Sequence, residues 1–212
     1  MKTDNLIAAL STDREKPPAP SRMLALAMLA GFAIAALVFV ALLGGPRPTF
    51  MPSLHSWRFV LKFAVTLTLA ATAAFVAARM MRPEARPGKL RLVLLAAPLL
   101  LSGAVIAELL IMPSNDWLTR LVGHNWLFCM IYIPIFSLVP LFAILWAMRS
   151  GAVTRPMRAG ALAGLIAGGL GGALYASHCP DDSPLFVATW YVIAIGAITV
   201  LGAWLGPRIL RW

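Results

Sequence analysis

Residues 178–184 read His-Cys-Pro-Asp-Asp-Ser-Pro, a short polar island between two long apolar runs at 159–177 and 185–206. A helix needs about 20 apolar residues to cross the roughly 30 Å hydrocarbon core of a bilayer. Each flanking run meets that length, so the island is a tight turn between two membrane-spanning helices. Working outward, four more runs of this kind appear at roughly 23–43, 59–80, 92–112 and 126–147. Of the 212 residues, 60% are hydrophobic and 12% charged. A soluble domain needs more polar surface than that. The expected fold is all-α, a polytopic bundle of six transmembrane helices. It divides into a head at 1–22, a membrane domain at 23–206 and a tail at 207–212.

Charge orients the bundle. Six spans place both termini on one side. That side carries Lys2, Arg14, Lys16 and Arg22 in the head, and Arg79, Arg82, Arg86, Lys89 and Arg91 in the second loop. Arg149, Arg155 and Arg158 follow in the fourth loop, and Arg208 and Arg211 in the tail. The other side has Arg47, Arg58 and Arg120, with Lys62 at a helix end. By the positive-inside rule both termini are expected in the cytoplasm. The same rule accounts for the net charge of +10, and with no basic soluble fold to carry it, no direct nucleic-acid binding is expected.

Within the spans, Lys62 lies within one turn of the end of span two and is expected to snorkel to the interface. Pro98 is expected to bend span three. Pro134 and Pro140 make span four the most irregular helix. In span five, Gly160, Gly164, Gly168 and Gly172 recur every four residues, forming a ridge that another helix can approach closely. In the head, Asp4 can cap a short helix with Leu6, Ile7 and Leu10 on one face. A proline-containing linker, 16–20, follows. That helix either lies on the lipid surface or docks in a partner's groove.

The orientation puts every Cys and His of the chain on the outer side: His55, His124, Cys129, His178 and Cys179, together with Glu108, Asp181 and Asp182. Two readings stand side by side. In one, Cys129 and Cys179 are neighbours that either form a disulfide or hold a soft metal with His124, His178, Glu108, Asp181 or Asp182. In the other, the two cysteines are unrelated and the loop is merely solvated. Glu108, the one carboxylate inside a span, is expected to make a polar contact rather than carry protons. A membrane thiol oxidoreductase fits the outer cysteines but lacks a CxxC pair. A small exporter would need ionisable groups near mid-bilayer, and only Glu108 is available, off-centre.

Several segments carry a family resemblance. They are the opening Met-Lys-Thr-Asp-Asn-Leu-Ile-Ala-Ala-Leu, the stretch from Cys129 into Pro134 and Pro140, and His178–Pro184 followed by Phe186-Val187-Ala188-Thr189-Trp190-Tyr191. Together they resemble the NrsF family, proteobacterial negative regulators of sigma F, along essentially the whole chain. The resemblance implies a six-span inner-membrane anti-sigma factor and no enzyme. It implies an extracytoplasmic-function sigma factor as partner, released under heavy-metal or oxidative stress. It also implies that Cys129 and Cys179 are the sensing residues, with no resident cofactor and at most a transient heavy-metal ion between them. The sigma-docking candidates Leu6, Ile7 and Leu10 come from the periodicity of the head alone.

Overall fold

The computed structural model describes residues 20–81 and 88–210. The candidate docking residues Leu6, Ile7 and Leu10 lie outside them. Among the described residues, six helices are long and apolar enough to cross a membrane. In chain order the helices are α1 (Pro20–Leu43), the one-turn α2 (Phe50–Ser53), α3 (Trp57–Met80), α4 (Gly88–Ile111), the short α5 (Trp117–Val122), α6 (Trp126–Met148), α7 (Pro156–Ala176) and α8 (Pro184–Ile209). No strand occurs among the described residues. The spans α1, α3, α4, α6, α7 and α8 coincide with the six apolar runs. The widest disagreement is four residues, at the start of the third span, read as 92 and found at Gly88.

Burial sorts the helices into a centre and a rim. In α7, 89% of the apolar window is buried, against 17% in α1 and in α4. α7 packs on α8, α6 and α3; α1 lies along α6, and α4 lies against α3 at the outside. The reason is side-chain size. Helices attract one another in lipid through close van der Waals contact rather than through hydrophobic exclusion, so small residues gather where several helices converge. Gly160 and Gly164 meet the backbone of α8, where a Cβ would strike Gly202 and Ile198. Gly169 faces Thr66 and Ala70 of α3, and Gly171 faces Ile133 and Ser137 of α6. The ridge expected for one partner is therefore a helix with glycine on three faces, each receiving a different neighbour. α1 shows the opposite pattern. Leu24, Gly31, Ala35 and Phe39 make one buried stripe, while Leu26, Leu29, Leu37 and Val40 are exposed to the surrounding lipid.

The prolines act differently from one another. Pro134 and Pro140 do lie inside α6, and Gly31 of α1 packs directly on Pro140, where a Cβ would come within 2.8 Å of its Cα. Pro98 sits at the third residue of the regular part of α4, after a 3₁₀ stretch over Gly88–Leu95. The change of helix type falls just before the proline, where its missing N–H interrupts the ladder. α8 carries one π turn, Val187–Tyr191.

Two substitutions on α8 separate packing from propensity. Gly202→Ala is expected to lower stability by about 1–3 kcal/mol through overpacking against α7. Gly196→Ala, with open space around its Cα, should be neutral or slightly stabilising. Thermal unfolding midpoints in detergent measure the difference.

Candidate functional site

The site is built on the turn between α7 and α8, and it begins with a buried cation. Lys62 does not reach outward to the interface as its position suggested. Its side chain is fully buried. The ammonium donates to the carbonyl of Cys179 at 2.9 Å and pairs with Asp182 Oδ1 at 2.6 Å. Arg47, from the loop after α1, holds the same two groups. Its Nη1 donates to the Cys179 carbonyl at 2.9 Å and its Nη2 pairs with Asp182 Oδ2 at 2.8 Å. The ring of Phe59 lies under both cations. A buried ammonium unpaired in hydrocarbon costs several kcal/mol. Turning inward onto a carboxylate and a carbonyl meets that cost, which snorkelling would otherwise have had to do.

The other carboxylates finish helix ends. Asp181 Oδ2 accepts from the backbone N–H of His124 (3.1 Å) and Asn125 (2.9 Å) and from Asn125 Nδ2 (3.0 Å), capping the start of α6 from across the bundle. Gly123, at φ +60°, makes the turn into α6, and a Cβ there would strike Phe186. Glu108, fully buried, accepts from Ser183 Oγ (2.7 Å) and from the Leu185 N–H (3.2 Å), satisfying the start of α8. Its other oxygen lies 3.3 Å from Arg58 Nε as an ion pair without hydrogen-bond alignment. Carboxylates at helix N-termini meet both the orphan N–H groups and the positive end of the dipole. Glu108 thus makes the polar contact expected of it.

Beneath this shell the two cysteines meet. Cys129 and Cys179 are both free thiols, both fully buried, and belong to one apolar cluster. Hydrogen bonding with the Cys129 thiol holds the Cys179 thiol below its ordinary pKa against the opposing effect of burial, and the Lys62 ammonium adds to the lowering. All three tyrosines of the chain belong to that cluster or pack against it. Tyr132 stacks on Tyr175 at 6.0 Å, and Tyr175 contacts Tyr191 at 6.3 Å. The hydroxyl of Tyr191 is buried with no hydrogen-bond partner.

The remaining candidate ligands stand apart from the thiols. The side chain of His124 is 88% exposed, 3.7 Å from Asp181. His178 engages the Gly45 carbonyl through Nδ1 at 2.9 Å and sits edge-on to Phe39. Glu108, Asp181 and Asp182 are occupied as described. Among the described residues no three His, Cys, Asp or Glu side chains converge as a metal site, so the donors a soft ion would meet are the two thiols themselves. Sequence reasoning missed Lys62, Arg47 and the tyrosines. A signal was present: this end of the bundle has few cations, and two of them, Arg47 and Lys62, have the adjacent pair Asp181–Asp182 to answer them.

Fold and site define a six-span helical membrane protein with a buried thiol pair under an ion-paired turn. The chain belongs to the NrsF family, negative regulators of sigma F, whose sequence model matches residues 9–212. It is similar to the anti-sigma-F factor NrsF of Caulobacter vibrioides, 33% identical over 217 residues, and to the probable anti-sigma-F factor NrsF of Azospira oryzae, 34% identical over 216 residues. Both alignments cover the whole of each chain. No solved structure matches it.

Removing Asp182 leaves a buried ammonium without its counter-ion, whereas removing Asp181 loses only a helix cap. Asp182→Asn is expected to destabilise the protein by about 3 kcal/mol and Asp181→Asn by about 1 kcal/mol. Unfolding midpoints of the two variants in the same detergent give the order.

Proposed function

We propose that this protein is an anti-sigma factor of the bacterial inner membrane. In this reading it holds an extracytoplasmic-function sigma factor at its cytoplasmic face and releases it when heavy metal or oxidant reaches Cys129 and Cys179. The family supports the anti-sigma role. The observation that carries the sensing role is the meeting of the chain's two cysteines, fifty residues apart in sequence, as free thiols at one end of the bundle. The opposite end gathers Arg79, Arg149, Arg155, Arg158 and Arg208. The positive-inside rule makes that end cytoplasmic, with both termini, and puts the thiols on the periplasmic side.

The chemistry at the pair takes one of two forms. A soft metal ion binds both sulfurs as thiolates, with release of two protons. Alternatively an oxidant removes two electrons and two protons and leaves a disulfide. Either form draws Cys129 and Cys179 to a new separation, and so changes how α6 packs on the turn that ends α7. The prolines let α6 bend, and the glycine contacts of α7 let the helices shift without side chains having to unlock. The trigger works only if it favours one packing over the other. A tenfold to hundredfold loss of sigma affinity needs about 1.4–2.8 kcal/mol of coupling. The head at 1–22, with Leu6, Ile7 and Leu10, is the proposed dock for the sigma factor.

Co-purification tests both halves. Full-length protein from detergent-solubilised membranes is expected to bring down a small sigma factor, and protein lacking residues 1–22 is not. Retention by both forms would move the dock to the basic loops, and capture by neither would overturn the anti-sigma reading. In cells, Cys179→Ser is expected to abolish release under cadmium or peroxide stress, read from a promoter fusion. Normal release by that variant would refute sensing at the pair.

A further inference from the structure

A reagent dissolved in the periplasm meets a closed door at this site. Both thiols are fully buried. A polar cavity of about 530 Å³ opens at the same end of the bundle, lined by Arg58, Arg120, His124 and the outer side of Pro180–Ser183. Neither cysteine lines it. The 180–183 backbone is therefore the wall between the water-accessible cavity and the sulfurs. Besides the Asp181 and Ser183 bonds already described, the attachments of that wall converge at one point. Lys62 Nζ and Arg47 Nη1 both donate to the carbonyl of Cys179, and both cations pair with Asp182, three residues along. Lys62 donates further to the Asp181 carbonyl at 3.4 Å.

We propose that Lys62 and Asp182 are positioning residues for the thiol pair: their buried ion pair holds the 180–183 turn closed over Cys129 and Cys179 and so sets how readily a trigger reaches them. The inference rests on the sensing role of the pair. Its logic is local. Lys62 grips the backbone of the cysteine it guards, so opening the turn and exposing the sulfur are one event. Reaction of a buried group from a transiently open state proceeds at a rate set by the opening equilibrium. Weakening the clamp raises reactivity without touching either sulfur. The pair is sealed from solvent on the Lys62 side, so salt screens it little, and the threshold is insensitive to ionic strength.

The test is thiol labelling of the full-length protein in detergent with N-ethylmaleimide at fixed pH. Helicity is followed by circular dichroism, and the two sulfurs are separated in Cys129→Ser and Cys179→Ser backgrounds. Wild-type labelling is expected to be slow and Asp182→Asn labelling about tenfold faster, the change given by about 1.4 kcal/mol in the opening equilibrium. Lys62→Arg, which keeps the charge, should stay close to wild type. Gly202→Ala, which loosens the far end of the bundle, should lower the unfolding midpoint without speeding labelling. A merely structural clamp would speed labelling in both destabilised variants alike, and that result overturns the proposal. So does rapid labelling of wild type, or a fully helical Asp182→Asn that labels no faster. If Asp182→Asn loses its helices, Arg47→Lys decides: labelling about twofold to fivefold faster supports the clamp, and an unchanged rate refutes it. Labelling reports the clamp whether or not stress signals through the sulfurs, so its failure is distinct from failure of Cys179→Ser to block release.

Discussion

The ammonium of Lys62 is the charge around which this end of the molecule is arranged. It is fully buried within a helix that crosses the membrane. A carboxylate and two carbonyls must come to it, because leaving it alone would cost several kcal/mol. They come from one short turn, and that turn contains Cys179. Arg47 repeats the same contacts from the other side. The position of the sulfur follows from the position of the charge, and the rest of the site is fitted around that fact.

The ion cluster needs a frame that presents the turn at the right height, and α7 supplies it. A helix enclosed by α8, α6 and α3 has no room for side chains on those faces. Glycine removes them and lets backbones approach to contact distance. The consequence reaches the site directly. Gly171 brings α7 against Ile133 and Ser137 of α6, one turn or so from Cys129. Tyr175, one turn further along α7, then stacks on Tyr132. The meeting of Cys129 with Cys179 is thus a result of close helix packing as much as of the polar turn.

Carboxylates at this end do different work according to what they face. Asp181 and Glu108 complete helix starts that would otherwise expose unpaired N–H groups. Asp182 neutralises two cations. Adjacent in sequence, Asp181 and Asp182 face different partners, the start of α6 and the two cations. This division leaves neither of them for the thiols, which share their cluster with tyrosine and phenylalanine rather than with ligands.

Hydropathy and length alone determined the six spans, because a membrane-crossing helix must satisfy its backbone internally and face lipid with apolar side chains. The number and order of the spans determined which loops share an end, and the placement of every Cys and His at one end was legible for the same reason. The glycine spacing in span five announced close packing but not its partners, since a ridge does not name what lies on it. The sequence also left open whether Cys129 and Cys179 are neighbours, and it misread Lys62 as a snorkelling residue. Both depend on how helices far apart in the chain rotate and lean against each other. The sequence fixes no such angle by pattern. Only the packed bundle decides which face of α3 turns inward, and with it that Lys62 meets Asp182 instead of water.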